Sequence, residues 1–96
     1  MVVLNSAKSV EAIKEVGYHN CAQGLYLQVS KQGTKSWLYR YTSPLTKTRR
    51  EMGLGSFNFV SLAQARQYAM DGKRLVINGE DPIEKRKKEL IKVQLK

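Results

Sequence analysis

Cysteine and long apolar runs are scarce in this 96-residue chain. Its single cysteine, Cys21, cannot form a disulfide within the chain, which is typical of proteins from a reducing compartment. No apolar run approaches the roughly 20 residues that cross a bilayer. The first residues, Met1 to Asn5, have neither the basic nor the apolar region of a secretion signal. We therefore expect a cytoplasmic protein that does not contact a membrane.

The sequence also lacks the residue clusters that metal and cofactor sites need. His19 is its one histidine, and no further ligands lie near His19 and Cys21. Gly53-x-Gly55 is not surrounded by the strand, helix and lysine of a phosphate-binding loop. The glycines are better explained by close packing and a turn. We predict no metal and no cofactor.

Acidic residues are few, since 8 Asp and Glu accompany 17 Lys and Arg and leave a net charge of +9. Residues 24–55 hold six basic residues and one acidic residue, and residues 83–96 hold six basic and two acidic residues. Residues 1–23 and 56–82 are each neutral. A positive charge that served only solubility would be spread along the chain. An excess of positive charge confined to two segments instead indicates a surface that binds a polyanion such as nucleic acid.

The N-terminal half carries the patterns of strands. Apolar spacing after Ser6 predicts a short helix over about 6–16 or, alternatively, a loosely docked lead-in. Alternating side chains predict three strands joined by tight turns, at 24–30, 36–42 and about 47–54. Strands connected in this way form an antiparallel meander.

The C-terminal half carries the patterns of helices. Ser61 and Gln64 form a capping box that begins a helix running to about Ile77. Gly72 within this helix predicts a close contact with the sheet, because glycine otherwise weakens a helix. A second, very basic helix begins at Ile83 and has no predicted partner. The fold class is therefore α+β: a three-stranded antiparallel β-sheet packed on one α-helix, with a basic C-terminal linker helix.

The predicted sheet has two different faces, of which one helix can cover only one. The covered face must be the apolar one, formed by Leu25, Leu27, Val29, Trp37, Tyr39, Tyr41, Met52 and Leu54. The opposite face, called the open face below, carries Tyr26, Gln28, Ser30, Leu38, Arg40, Thr42, Arg49 and Glu51. A twisted, mostly polar face of this size fits a DNA major groove, where Arg40 of the middle strand would lie deepest.

Basic residues at the strand ends extend the open face toward flanking phosphates. These residues are Lys31, Lys35, Lys47, Arg49 and Arg50. The predicted DNA-binding residues are therefore Tyr26, Gln28, Ser30, Lys31, Lys35, Leu38, Arg40, Thr42, Lys47, Arg49 and Arg50.

Five short motifs occur in one order along residues 24–83. They are Gly24-Leu25-Tyr26-Leu27-x-Val29, Ser36-Trp37-x-x-Arg40-Tyr41, Met52-Gly53-Leu54-Gly55, Ser61-Leu62-Ala63-x-Ala65-Arg66 and Gly79-x-Asp81-Pro82. In this order and spacing they resemble the N-terminal arm-type DNA-binding domain of P4-like phage and genomic-island integrases, which are tyrosine recombinases.

The resemblance implies a sheet face that grips arm sites flanking the recombination core site in double-stranded DNA. It divides the chain into a lead-in over 1–23, an arm-type domain over 24–83 and, over 84–96, the start of a linker to an absent core-binding domain. Other integrase protomers would be partners in the full-length assembly.

Catalysis is not expected in this chain. The resemblance implies that DNA cleavage belongs to a later catalytic domain. The residues agree, because Tyr39 and Tyr41 alternate with Arg40 along a strand and so point to its other face. The chain is predicted not to be an enzyme.

Two other functions remain open. Single-stranded or structured RNA binding by a sheet needs two or three exposed aromatic side chains, and only Tyr26 is predicted to face out. A protein-interaction module would use a sheet edge or the helix.

Overall fold

The computed structural model describes residues 6–21 and 23–94. Within these ranges the elements are α1 (Ala7–Ala12), β1 (Gly17–Asn20), β2 (Leu25–Val29), β3 (Lys35–Thr42), β4 (Arg49–Ser56), α2 (Leu62–Ile77) and α3 (Pro82–Gln94). The strands form one antiparallel sheet in the order β1-β2-β3-β4, and α2 packs across it. The predicted α+β class is confirmed. The prediction made for Met1 to Asn5 lies outside the described residues.

The sheet has four strands in the described chain, where three were predicted. The additional strand, β1, pairs with β2 so that Tyr18 lies opposite Gln28 and Asn20 lies opposite Tyr26. β1 is four residues long and does not alternate between buried and exposed positions. A segment this short has no clear pattern of its own, and its pairing with β2 makes it a strand.

α1 is shorter than the predicted helix. It begins with a capping box in which the side chains of Ser6 and Ser9 each accept from the backbone N–H of the other. It ends at Ala12, because Ile13 already has an extended backbone. Apolar spacing continued beyond the point where the helix stops.

α1 is also firmly docked. Val10 is 1% exposed and belongs to the core. The ammonium group of Lys35 donates to the carbonyl oxygens of Val10, at 3.1 Å, and Glu11, at 2.8 Å. These bonds satisfy carbonyl groups that the end of a helix leaves without intrahelical partners. The alternative of a loosely docked lead-in is wrong for the part of it that the structure describes.

The core lies between the sheet and α2. All eight side chains predicted for the covered face are buried. Trp37 is 0% exposed, and its indole Nε1 donates to the carbonyl oxygen of Val60 at 2.7 Å. A Cβ atom on Gly72 would lie 2.9 Å from the ring of Tyr39, so α2 can approach the sheet only with a glycine there. The predicted contact of Gly72 is confirmed.

α3 has partners that the sequence did not predict. The buried carboxylate of Asp81 caps the helix by accepting from the backbone N–H of Ile83 at 2.9 Å. Ile83 packs against the core, and Arg86 Nη2 donates to the carbonyl oxygen of Gly53 in β4 at 3.0 Å. The prediction of a basic helix without partners is therefore wrong. The polar residue that caps α3 is the one that anchors it to the sheet.

Candidate nucleic-acid interface

The open face is arranged as the alternation predicted. Its eight predicted residues are all half-buried or exposed, in contrast to the buried set on the other face. Arg40 lies on β3, which has a neighbouring strand on each side, and faces Glu51 of β4. The middle of the open face therefore presents an arginine.

Arg40 is held by three neighbours. Its guanidinium carbon lies 4.3 Å from the ring centre of Tyr18 and 4.5 Å from that of Tyr26. Its Nε donates to Glu51 Oε2 at 3.3 Å. Cation–π contacts with two rings and a hydrogen bond to one carboxylate restrict the position of the guanidinium group. An arginine fixed in this way on a surface is prepared to recognise a planar ligand edge.

Tyr18 is a site residue that sequence reasoning missed. It lies on β1, is 48% exposed and shares the open face with Tyr26. The expectation that only Tyr26 faces out is therefore wrong. The missed signal was the pairing partner, since a four-residue segment of polar and aromatic residues lies only a few residues before β2 in the sequence, a spacing typical of hairpins.

Three predicted phosphate contacts lie where a polyanion could reach them. Lys31 follows β2, Lys47 lies in the β3–β4 turn and Arg49 begins β4, and all three side chains are exposed. Lys47 has a φ of 63°, a left-handed conformation that the turn imposes. The turns thus carry exposed cations at the ends of the open face.

Two other predicted phosphate contacts already have partners within the protein. Lys35 binds the carbonyl groups of α1 described above and lies 5.1 Å from the ring centre of Phe57. Arg50 is opposite Tyr41, on the covered side of the sheet. Phosphate binding by Lys35 and Arg50 remains a prediction, and the exposed cations are better placed for it.

Arg50 belongs to a polar cluster around Asp81. Its Nη1 lies 3.0 Å from Asp81 Oδ2 and 3.0 Å from Glu84 Oε2. Asp81 also accepts from the hydroxyl groups of Tyr41, at 2.5 Å, and Ser43, at 2.6 Å. Strands β3 and β4, the loop between them and the start of α3 therefore meet at one carboxylate.

The environment of Asp81 favours its charged form. Burial raises the pKa of this carboxyl, but hydrogen bonds from Ser43, Tyr41, Arg50 and the N–H of Ile83 together lower it by more. The net pKa of Asp81 is well below the usual range. The pKa of Tyr41 is raised, first by burial and then by its hydrogen bond to the carboxylate. Tyr41 therefore stays protonated and donates to Asp81.

The family of this chain follows from comparison with known proteins. The model of the arm DNA-binding domain family matches residues 4–89. The chain belongs to this family. The match includes all four strands that the structure describes, and with them Arg40, Lys35 and Asp81.

Relatives of this arm domain are integrases. It is 41% identical over 59 residues to the integrase of Enterobacteria phage P4, a match that covers 62% of the chain and 13% of the phage protein. It is 37% identical over 67 residues to the prophage integrase IntA of Escherichia coli (strain K12), covering 70% of the chain and 16% of IntA. The prophage integrase IntZ of the same strain is 35% identical over 66 residues, covering 69% and 16%. The arm domain thus spans a small part of each relative.

The side chains of the arm domain that have reactive groups are buried or hydrogen-bonded within the fold. Tyr39 and Tyr41 are 4% and 6% exposed, on the face opposite to Arg40. His19 Nε2 lies 2.7 Å from the carbonyl oxygen of Glu15. Burial raises the pKa of the Cys21 thiol. Over residues 6–21 and 23–94 no three His, Cys, Asp or Glu side chains come together as metal ligands would.

The helices of the arm domain are short or charged. Among the residues that the structure describes, none forms a helix long and apolar enough to span a bilayer.

Proposed function

We propose that the arm domain binds double-stranded DNA sequence-specifically at arm-type sites, with the open face in the major groove. The observation that carries this proposal is Arg40, which contacts two tyrosine rings at the middle of the open face. Exposed Lys31, Lys47 and Arg49 surround it at the strand ends. Arginine in the groove and cations on the backbone are the two kinds of contact that specific DNA recognition combines.

The arm domain would act as the non-catalytic part of a site-specific integrase in the cytosol of a bacterial host. Its relatives carry the name integrase, and it corresponds to 13% to 16% of their length. In such an assembly α3 would lead toward a core-binding domain, and other integrase protomers would be partners. The burial of Tyr39 and Tyr41 supports a role for them in the core rather than in DNA cleavage.

Single-stranded nucleic acid is a second candidate ligand, because Tyr18 and Tyr26 both lie on the open face. Base stacking needs free aromatic faces. Each of these rings already has the guanidinium group of Arg40 against one face, which favours duplex binding. Competition of unlabelled single strands against a labelled duplex distinguishes the two. A single strand that competes as well as the duplex of the same sequence would contradict the proposal.

Salt should weaken DNA binding steeply. If Lys31, Lys47 and Arg49 each neutralise one phosphate, the slope of log affinity against log salt should be about −2.7, since each contact contributes about −0.9. Lys31→Ala should make the slope shallower by about one contact. The matched control is Lys73→Ala, because Lys73 is an exposed lysine on α2, away from the open face. A wild-type slope shallower than about −2 would favour a protein-interaction module instead.

Substitutions of Arg40 and of Lys31 should have different effects, because Arg40 is proposed to recognise a base and Lys31 to contact a phosphate. Arg40→Ala should cost about 1–3 kcal/mol on the cognate duplex and relax preference at one base position, because the bidentate contact is lost. Arg40→Lys should also lose preference, since an ammonium group has no fork. Lys31→Ala should weaken cognate and scrambled duplexes by similar factors. The measurement is a titration of each variant against both duplexes at one salt concentration. An unchanged cognate-to-scrambled ratio for Arg40→Ala would exclude base recognition by this residue.

A further inference from the structure

We propose that Arg40 and Glu51 together recognise one G·C base pair, and that Tyr18 and Tyr26 are positioning residues that hold Arg40 for this contact. The inference rests on the proposed function and assigns that interface a base-pair identity and a role for the edge strand β1. It starts from a feature that general DNA binding does not explain: an acidic side chain beside the central arginine of a basic surface.

Arg40 and Glu51 form a fixed donor–acceptor pair. They are register partners on β3 and β4, and both lie on the open face. Their bond joins Nε to Oε2 at 3.3 Å, so it does not consume the two Nη groups that form the fork of the guanidinium. Glu51 keeps 44% of its side chain exposed. The open face therefore presents an NH fork and a carboxylate oxygen side by side.

This order of groups matches the major-groove edge of a G·C pair. Guanine presents two acceptors, N7 and O6, and the amino group of its cytosine partner is the adjacent donor. Arg40 would donate to guanine while Glu51 accepts from the cytosine amino group. On an A·T pair the arginine would meet the adenine amino group and the carboxylate would meet thymine O4, so two like contacts would oppose binding.

The carboxylate also discriminates against other DNA. A negative side chain brought close to the phosphates is repelled by them, and a hydrogen bond received in the groove offsets this cost. Glu51 should therefore weaken binding to random duplexes and to the wrong base pair. Its removal is expected to raise non-specific affinity and to lower discrimination.

Tyr18 and Tyr26 fix the guanidinium before DNA arrives. An exposed arginine loses much rotamer freedom when a ligand holds it, and a group that is already held loses less. Tyr18 comes from β1, the edge strand, while Tyr26 comes from β2. The discrimination made by Arg40 on β3 should therefore depend on a ring two strands away.

The test begins with selection of duplexes from a random pool by the 96-residue chain and by its Arg40→Ala variant. The wild type should enrich a G·C pair at one position that Arg40→Ala leaves unselected. That guanine is then replaced by 7-deazaguanine, which lacks N7, and in a second duplex its cytosine by N4-methylcytosine, which blocks the amino hydrogen in the groove. Each replacement should weaken wild-type binding about tenfold, as expected for the loss of part of one base contact.

Variants then assign each effect to a residue. N4-methylcytosine should not weaken binding by Glu51→Ala, and 7-deazaguanine should not weaken binding by Arg40→Ala. Tyr18→Leu should reduce the preference for the G·C pair about three- to fivefold, whereas Tyr18→Phe, which keeps the ring, should retain it. Thermal melting of each variant verifies that the domain is folded.

The outcomes separate this inference from the proposed function. Duplex binding without an enriched G·C pair would overturn the paired recognition and leave the function standing. If N4-methylcytosine weakens binding by the wild type and by Glu51→Ala equally, Glu51 does not recognise the cytosine. If Tyr18→Leu keeps the preference for the G·C pair, Tyr18 does not position Arg40. If the chain enriches no duplex at all, both the inference and the function are wrong.

Discussion

Asp81→Ala should lower the free energy of unfolding by about 3–5 kcal/mol, the loss expected when one partner of a buried charged cluster is removed. The substitution leaves the hydroxyl groups of Tyr41 and Ser43 without their acceptor and removes the cap of α3. Urea denaturation followed by circular dichroism measures this loss. Glu84→Ala is the matched control, because Glu84 binds the same arginine but is 40% exposed. The control should lose much less stability. Equal losses in the two variants would show that the cluster does not depend on its buried carboxylate.

The carboxylate of Asp81 should also make the free energy of unfolding depend on pH in the acidic range. Because the folded pKa of Asp81 is depressed, its contribution is fully present above the unfolded value of about 3.9. The contribution is lost as the pH falls below that value toward the folded pKa, since protonation then favours the unfolded chain. Asp81→Asn should flatten this part of the profile of unfolding free energy against pH. A variant profile parallel to that of the wild type below about pH 4 would contradict this assignment.

Trp37→Ala should cost about 3–5 kcal/mol of stability, the usual loss for a large aromatic side chain in a core. Trp37 is fully buried and packs against the ring of Phe57, with 6.0 Å between ring centres. Trp37→Phe keeps most of the packing but leaves the carbonyl of Val60 without its donor, so it should cost about 1–3 kcal/mol. Chemical denaturation gives both values.

Leu38→Ala serves as the control for Trp37, because Leu38 is the next residue on β3 and lies on the open face. Leu38→Ala should lower the free energy of unfolding far less than Trp37→Ala, because Leu38 is half-buried and does not belong to the core. A loss for Leu38→Ala as large as that for Trp37→Ala would mean that the two faces of the sheet are energetically equivalent, contrary to the burial pattern.

The faces of the sheet were predictable because a strand alternates with period two. Trp37, Tyr39 and Tyr41 on one side of β3, and Arg40 on the other, follow from that alternation alone. The capping box of Ser61 and Gln64 was equally predictable, since both partners lie within one helical turn. Each of these inferences uses contacts between neighbours along the chain or the requirement to bury an apolar face.

Contacts made across long sequence separations were not predictable. The ammonium group of Lys35 donates to the carbonyl oxygen of Val10 in α1, which is 25 residues away in the sequence. The guanidinium group of Arg50 donates to Asp81, which is 31 residues away. Nothing local distinguishes Lys35 from exposed Lys31 and Lys47. Alternation along β4 does put Arg50 on the side of Met52 and Leu54, but it does not show that a carboxylate lies there, so Arg50 was also predicted to contact phosphate. A charged side chain takes its partner from whatever the fold brings within reach.

The class of fold, the covered and open faces of β2 to β4 and the concentration of positive charge were all predictable from the amino-acid sequence, because periodicity and composition are local properties. The folded structure revealed that Gly17–Asn20 forms a fourth strand and that Tyr18 joins Tyr26 around Arg40. It likewise revealed that α3 is anchored through Asp81. Hydrogen bonding explains both cases, because a four-residue strand is stable only when a neighbouring strand pairs with it, and a buried carboxylate only when other parts of the fold donate to it.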